Sequence, residues 1–342
     1  MRWTLPALLI AVAVAPAAPP MQSASALAFG PDGVLFVGDS QAGAVLAVKT
    51  GDTAPAGQGD VTVENLSEKL STLFGTPDVD VADLKVNPAS GNLFLAVRVG
   101  KGADQKPALA KLGRDGTLTK FEPAAAAVTT CTLPNASDKS RRDSITCLGF
   151  ANGKLMVAGL SNEEFASTFR VIPYPLPATA DKGTAIEVYH AAHAAKETRS
   201  PIKAFVPYTA GGVDYVMAAY TCTPLVRLTA ADLTSGKKLM GVTIAELGNR
   251  NVPLDLVAYS KGGKEFLLMA NSARGVMKIP ADPVAAAEGL TQPVKGGGTA
   301  GVKFEPVTQL AGVVQLDKLD ADRAVVVVKD GKTLSVKTVP LP

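Results

Sequence analysis

Ala26-Leu27-Ala28-Phe29-Gly30-Pro31-Asp32-Gly33-Val34-Leu35-Phe36-Val37-Gly38-Asp39-Ser40 is the stretch whose reading decides the fold. Two short apolar runs flank Gly30-Pro31-Asp32-Gly33. Proline presets φ and glycine accepts a positive φ, so the centre is a tight turn and the flanks are paired strands. A third apolar run, Ala44-Val45-Leu46-Ala47-Val48, follows Gly38-Asp39-Ser40 and completes a meander.

The theme returns five times. Val81 to Val86 turns at Asn87–Asn92 into Leu93 to Val97, and Ile145 to Phe150 turns at Asn152-Gly153 into Leu155 to Ala158. Ile202 to Val206 turns at Ala210-Gly211-Gly212 into Val213 to Ala219. Leu254 to Tyr259 turns at Lys261-Gly262-Gly263 into Phe266 to Met269. Val313 to Leu316 leads through Asp320-Ala321-Asp322 into Ala324 to Val328. The spacing is roughly 50 to 60 residues, near the range of about 40 to 50 for propeller blades. One small sheet cannot bury both faces, but sheets stacked radially bury each other and leave only short edges. The expectation is an all-β chain forming a single β-propeller over residues 21–342, with six blades, or seven as the alternative. The last unit, ending at Leu341-Pro342, lacks an outer strand, which residues before Ser25 are expected to supply unless that blade is three-stranded. Apolar residues at helical spacing predict a short helix over Asn65–Phe74. A helical turn is expected over Asp282–Gly289, with a flexible loop at Lys295-Gly296-Gly297-Gly298.

The Ala26–Ser40 hairpin resembles an NHL-type blade and is similar to blades of gluconolactonase-like and strictosidine-synthase-like propellers. The resemblance covers that one blade well and the others only as a strand-turn-strand theme. It implies the fold and barely reaches function, because propellers host many unrelated activities. Lactonase-type propellers hold a central divalent cation such as calcium with a Glu, Asn and Asp set, and hard cations want several oxygen ligands. The resemblance therefore nominates Asp80, Asp83, Asn162, Asn251, Asp255 and Asn271. It also meets a departure: Ser23-Ala24-Ser25-Ala26 stands where a glutamate would precede the first inner strand.

Composition narrows the partners. Hydrophobic residues make up 47% and charged residues 19%, which is an ordered globular chain. A net charge of +3 and 5% aromatic residues give neither the cation clusters nor the stacking rings of a nucleic-acid groove. Arg2, the apolar run Leu5 to Val14 and Ala15-Pro16-Ala17 read as a leader over residues 1–20, cleaved near 17–20. The mature protein is then expected to be periplasmic or secreted, without a membrane span, and monomeric. In an oxidising compartment, three cysteines suggest one bridge. Cys131 and Cys147 flank a polar loop whose closure would contribute about 3 kcal/mol, leaving Cys222 free.

In a propeller, the loops leading into the inner strands and those leaving the second strands share one channel face. The candidates there for contacting a small molecule or protein partner are Asp80, Asp83, Asn162, Glu163, Arg199, Asn251, Asp255 and Asn271. A second constellation is Tyr189-His190-Ala191-Ala192-His193 with Glu197 and Arg199, holding both histidines of the chain. Were Ala191 to Lys196 helical, the imidazoles would share a face. Cys222 leaves the second strand of the next unit, so His190, His193 and Cys222 could converge, and imidazoles with a thiolate suit copper or zinc. The alternative is two histidines on an exposed connection and a small buried apolar cysteine. No Gly-x-Ser-x-Gly elbow, Cys-x-x-Cys-His site or phosphate-cradling glycine loop is present. The leading functional expectation is a binding or interaction module without catalysis. A metal-dependent lactonase or esterase comes second, and a copper- or zinc-binding accessory protein third.

Overall fold

A computed structural model describes residues 21–57, 59–222 and 224–342. The expected leader over residues 1–20 lies outside them. Six sheets form, each built on one of the six antiparallel hairpins read from sequence, so the count is six rather than seven. Blade 1 comprises Ala26–Phe29, Val34–Asp39, Ala44–Lys49 and Val128–Thr132. Blade 2 is Val79–Val86, Leu93–Val99, Lys106–Leu112 and Leu118–Lys120; blade 3 is Cys147–Ala151, Lys154–Leu160, Ser167–Pro173 and Thr184–His190. Blade 4 has Ile202–Ala210, Val213–Tyr220, Pro224–Thr229 and Val242–Leu247, and blade 5 has Pro253–Lys261, Lys264–Asn271, Gly275–Pro280 and Glu305–Pro306. Blade 6 is Val313–Lys318, Arg323–Asp330, Thr333–Pro340 and, from far upstream, Thr62–Val63.

The core is a set of wedges between neighbouring blades rather than one central mass. Phe36, Val45 and Ala47 of blade 1 pack with Leu155, Val157 and Ile172 of blade 3, while Leu27, Leu35 and Val37 pack with Phe94, Ala96 and Leu109 of blade 2. Fully burying each such Val, Leu or Phe contributes about 1.5–3 kcal/mol. Blade 2 packs on its other side against Val325, Val327 and Val336 of blade 6. Around the ring the blades therefore run 2, 1, 3, 4, 5, 6, and blade 6 closes onto blade 2. The first two blades are exchanged relative to chain order.

The exchange explains the ring closure. After its third strand in blade 1, the chain lays Thr62–Val63 on the edge of blade 6, pairing Val63 with Val336. It then forms the helix Leu66–Phe74, builds blade 2, and returns to give blade 1 its outer strand, pairing Cys131 with Val45. Thr62–Val63, rather than the described residues 21–24, supplies the missing strand. Gln22 and Ser23 cap a loop instead: Asp39 accepts hydrogen bonds from the Gln22 backbone N–H (2.6 Å) and the Ser23 hydroxyl (2.9 Å). The expected helix is present, starting one residue after Asn65. The Asp282–Gly289 segment is turns rather than helix.

The cysteine expectation is corrected. All three cysteines are free. Cys131 lies on the outermost strand of blade 1 and Cys147 on the innermost strand of blade 3. Three strand spacings of about 4.8 Å separate those radial positions, whereas a bridge needs Cα atoms within about 7 Å. Burial pushes the Cys131 thiol up to about 11 and the Cys147 thiol up to about 12.

Candidate functional site on the loop face

Loops leading into inner strands meet loops leaving second strands. The Ser40 hydroxyl donates to the Ile145 carbonyl (3.0 Å), and the Cys222 N–H donates to the Asn251 carbonyl (2.9 Å). Two charged clusters lie within this framework, one on the inner strands and one at a cleft between blades 3 and 4.

Asp83 and Asp255 sit where the inner strands of blades 2 and 5 skip a register step. Such bulges re-aim a side chain. Both carboxylates then bridge blades: Asp83 accepts the Leu27 N–H (2.7 Å), and Asp255 accepts the Leu316 N–H (2.9 Å). Asp317 accepts the Val86 N–H (2.8 Å). The Lys85 ammonium lies 3.0 Å from Asp83 Oδ1 and 3.0 Å from Asp255 Oδ1. Burial drives the Asp255 carboxyl up to about 7 despite Lys85, and raises that of Asp317 too. The attraction of Asp255, Asp83 and Asp317 outweighs burial at Lys85 and keeps its ammonium firmly charged.

The residues nominated for a central calcium do not fit one. The Lys85 ammonium occupies the position between Asp83 and Asp255. The Asn271 side-chain amide donates to the Asn251 side-chain Oδ1 (2.9 Å), and the Asn251 side-chain amide donates to the Gly248 carbonyl (2.7 Å). The Asn162 amide donates to the Asp138 carboxylate (2.8 Å), and its oxygen accepts the Asp138 N–H (2.9 Å). Glu163 accepts from the Asn135 amide (2.7 Å), and Asp80 is ion-paired with Arg98 opposite it in the sheet. Asp83 meets Asp255 across Lys85 and Asn251 meets Asn271, but Asp80 and Asn162 pair with other residues, so the six are not gathered.

The histidines are. His190 ends the outer strand of blade 3, and the chain reverses through Ala191–Ala194 into Ala195–Glu197, pairing His190 with Ala195 and Val188 with Glu197. This is a hairpin, so the imidazoles meet without the helix expected for a shared face. A few residues cannot meet the cost of helix nucleation, and Glu246 captures the turn by accepting the Ala191 N–H at 2.7 Å. Ala194 takes a left-handed φ of 51° to complete the reversal. The imidazole centroids lie 3.9 Å apart. His190 Nδ1 is 2.9 Å and His193 Nδ1 2.7 Å from the same oxygen, Glu197 Oε1. Burial would raise the Glu197 carboxyl, but hydrogen bonds from Ser200 and His193 and the proximity of His190 hold it below the ordinary carboxylate range.

Behind this trio lies Glu246, 0% exposed, and His190 itself is only 1% exposed. Burial pushes the Glu246 carboxyl up, against the attraction of His190. Its Oε2 and His190 Nε2 have no hydrogen-bond partner and face each other at 3.8 Å. The geometry has a tautomeric consequence. If Nε2 carries its proton toward Glu246, Nδ1 presents a lone pair to Glu197, and two acceptors meet. A shared cation, proton or metal, resolves that contact. The ligand atoms of His190, His193 and Glu197 all lie within 4.8 Å of one another. The trio opens on a cleft of about 410 Å³ also lined by Lys196, Arg199, Ser200 and Cys222. Arg199 and Cys222 thus share the histidine cleft rather than the inner-strand cluster. Sequence reasoning missed Lys85, Asp317 and Glu246.

The class these observations define is a six-bladed β-propeller with an exchanged blade pair. No protein-family model and no curated sequence matches the chain. Among solved structures it is similar to a candidate 6-phosphogluconolactonase of Bacteroides uniformis, at 13% identity over 94% of this chain and 78% of the other, with a TM-score of 0.37. It is also similar to the PQQ-bound aldose sugar dehydrogenase of Streptomyces coelicolor, at 11% identity over 94% and 95% of the two chains, with a TM-score of 0.33. The soluble aldose sugar dehydrogenase of Escherichia coli gives 12% identity over 94% and 97%, with a TM-score of 0.30. Likenesses of this order carry no inference about chemistry.

Proposed function

We propose that the protein is a binding module that holds one divalent transition-metal ion at His190, His193 and Glu197, on the loop face of the propeller. One observation carries this reading: two imidazole nitrogens converge on one carboxylate, backed by a buried carboxylate aimed at the far nitrogen of His190. An outer carboxylate hydrogen-bonded to the far nitrogen fixes the tautomer of a metal-ligating histidine, and Glu246 Oε2 stands 3.8 Å from that nitrogen, in position for the role. Two histidines and a glutamate suit zinc or copper and leave a coordination position open to the cleft. The lactonase-like alternative has less support, because the Lys85 ammonium stands between Asp83 and Asp255, two of the residues nominated for its cation. Kinship with NHL-type or gluconolactonase-like propellers rests on the Ala26–Ser40 hairpin alone. We place the protein outside the cytoplasm on the strength of the leader; no helix among the described residues is long and apolar enough to cross a membrane.

Calorimetric titration with zinc and with copper tests the reading. The expected result is one ion per chain, with His193→Ala weakening binding by at least the factor of about 10–100 that follows loss of an outer-shell partner. His193 is half-exposed at the turn, so its truncation leaves the fold intact. Equal binding by wild type and variant would overturn the assignment.

A further inference from the structure

We infer that the Cys222 thiolate is the fourth protein ligand of this centre, which makes it a site for a thiophilic metal rather than a hard cation. This rests on the metal reading above and refines it. Cys222 is the one cysteine in the cleft: it shares the wall with His190, His193 and Glu197, whereas Cys131 and Cys147 lie on strands elsewhere. The ligand atoms of His190, His193 and Glu197, all within 4.8 Å of one another, mark the cleft independently as a metal position.

The turn that carries Cys222 is built to present it. Its φ is +61°, a conformation that favours glycine or asparagine. Its N–H is held by the Asn251 carbonyl at 2.9 Å. Asn251 is in turn buried and fixed by Gly248 and Asn271. The sequence thus places a thiol, at a conformational cost, on an anchored turn in the wall of the cleft that holds two imidazoles and a carboxylate. Cys222 stands outside the tight group formed by the other three, so coordination draws the thiol inward. Binding exchanges the S–H bond for a sulfur–metal bond, and the thiol proton passes to solvent with no change of oxidation state. A thiolate beside two imidazoles and a carboxylate suits zinc, cobalt(II) or copper; calcium and magnesium require oxygen donors.

Cobalt(II) titration of the full chain, followed by absorption, tests this. The expected spectrum combines visible bands of four-coordinate cobalt with an intense near-ultraviolet thiolate-to-cobalt charge-transfer band. Cys222→Ser is expected to lose the charge-transfer band while still taking up one cobalt, with affinity reduced about tenfold or more. Wild-type protein alone supplies a second readout: cobalt should slow the reaction of one thiol with a maleimide, and peptide mapping should identify it as Cys222. Cobalt bound without a charge-transfer band, or a band that persists in Cys222→Ser, overturns the thiolate ligand and leaves the histidine–glutamate site standing. No cobalt bound at all overturns both.

Discussion

The inner-strand cluster and the cleft cluster are built from similar side chains to opposite ends. On the inner strands, Lys85 lies between two aspartates, and Asp83, Asp255 and Asp317 each accept a backbone N–H from a neighbouring blade. Charge there is compensated internally and works as a clasp. At the cleft, His190 Nε2 and Glu246 Oε2 are buried 3.8 Å apart without hydrogen-bond partners, and two imidazoles press on one carboxylate. Charge there is left for something else to complete. The difference teaches that a polar ring in a propeller is not one site: satisfied groups hold the ring, and unsatisfied ones are where a ligand belongs.

The sharpest way to break this contrast is at Lys85. Lys85→Met leaves buried carboxylates facing one another without a cation, and should cost about 3–5 kcal/mol, read by urea denaturation. Metal affinity at the cleft should not change. A loss under about 1 kcal/mol would show that the cluster is not a clasp. Glu246→Gln tests the other side. It keeps an acceptor for the Ala191 and Ala192 N–H groups but removes the carboxylate behind His190, and should weaken zinc binding by about 10–100-fold.

Acidity sharpens the contrast further. Asp255 is raised to about 7 by burial, so the folded state binds its proton more tightly than the unfolded chain. Its contribution to stability is complete below the ordinary carboxylate range and is lost as pH rises through about 7. Asp317, also raised by burial, acts in the same sense. Lys85 is raised as well, and its contribution fades only in strong alkali. Denaturation midpoints should therefore fall between pH 4 and 8, and Asp255→Asn should flatten that slope; a rise over the same interval would contradict the assignment. The smallest effect belongs to Arg98→Ala. It breaks an exposed pair with Asp80 and should cost less than about 1 kcal/mol by the same denaturation assay.

How much of this was legible in the sequence depends on locality. Each inner hairpin was readable because turn chemistry and apolar runs are neighbours in the chain, as at Gly30–Gly33. The exchange of blades 1 and 2 was not, because it rests on outer strands as short as Thr62–Val63, paired with residues such as Val336 far along the chain. Asp83 and Asp255 were named for the loop face, but the bulges that turn them onto Lys85 carry no local signal. Lys85 itself could have been found, since Asp83 and Lys85 interrupt an apolar strand two residues apart. Glu246 could have been found likewise, as the charge within the buried strand Val242–Leu247. The approach of His190 to His193 was readable as spacing but not as geometry. Its Ala-rich surroundings suggest a helix, and the reversal is imposed by Glu246, more than fifty residues away.

The most direct test is an anomalous difference map from crystals soaked in zinc, recorded at the zinc edge. The account predicts one strong peak per chain, bounded by Nδ1 of His190, Nδ1 of His193 and a Glu197 oxygen. A peak beside Asp83 and Asp255 with Lys85 displaced, or no ordered zinc at the histidines, would contradict it.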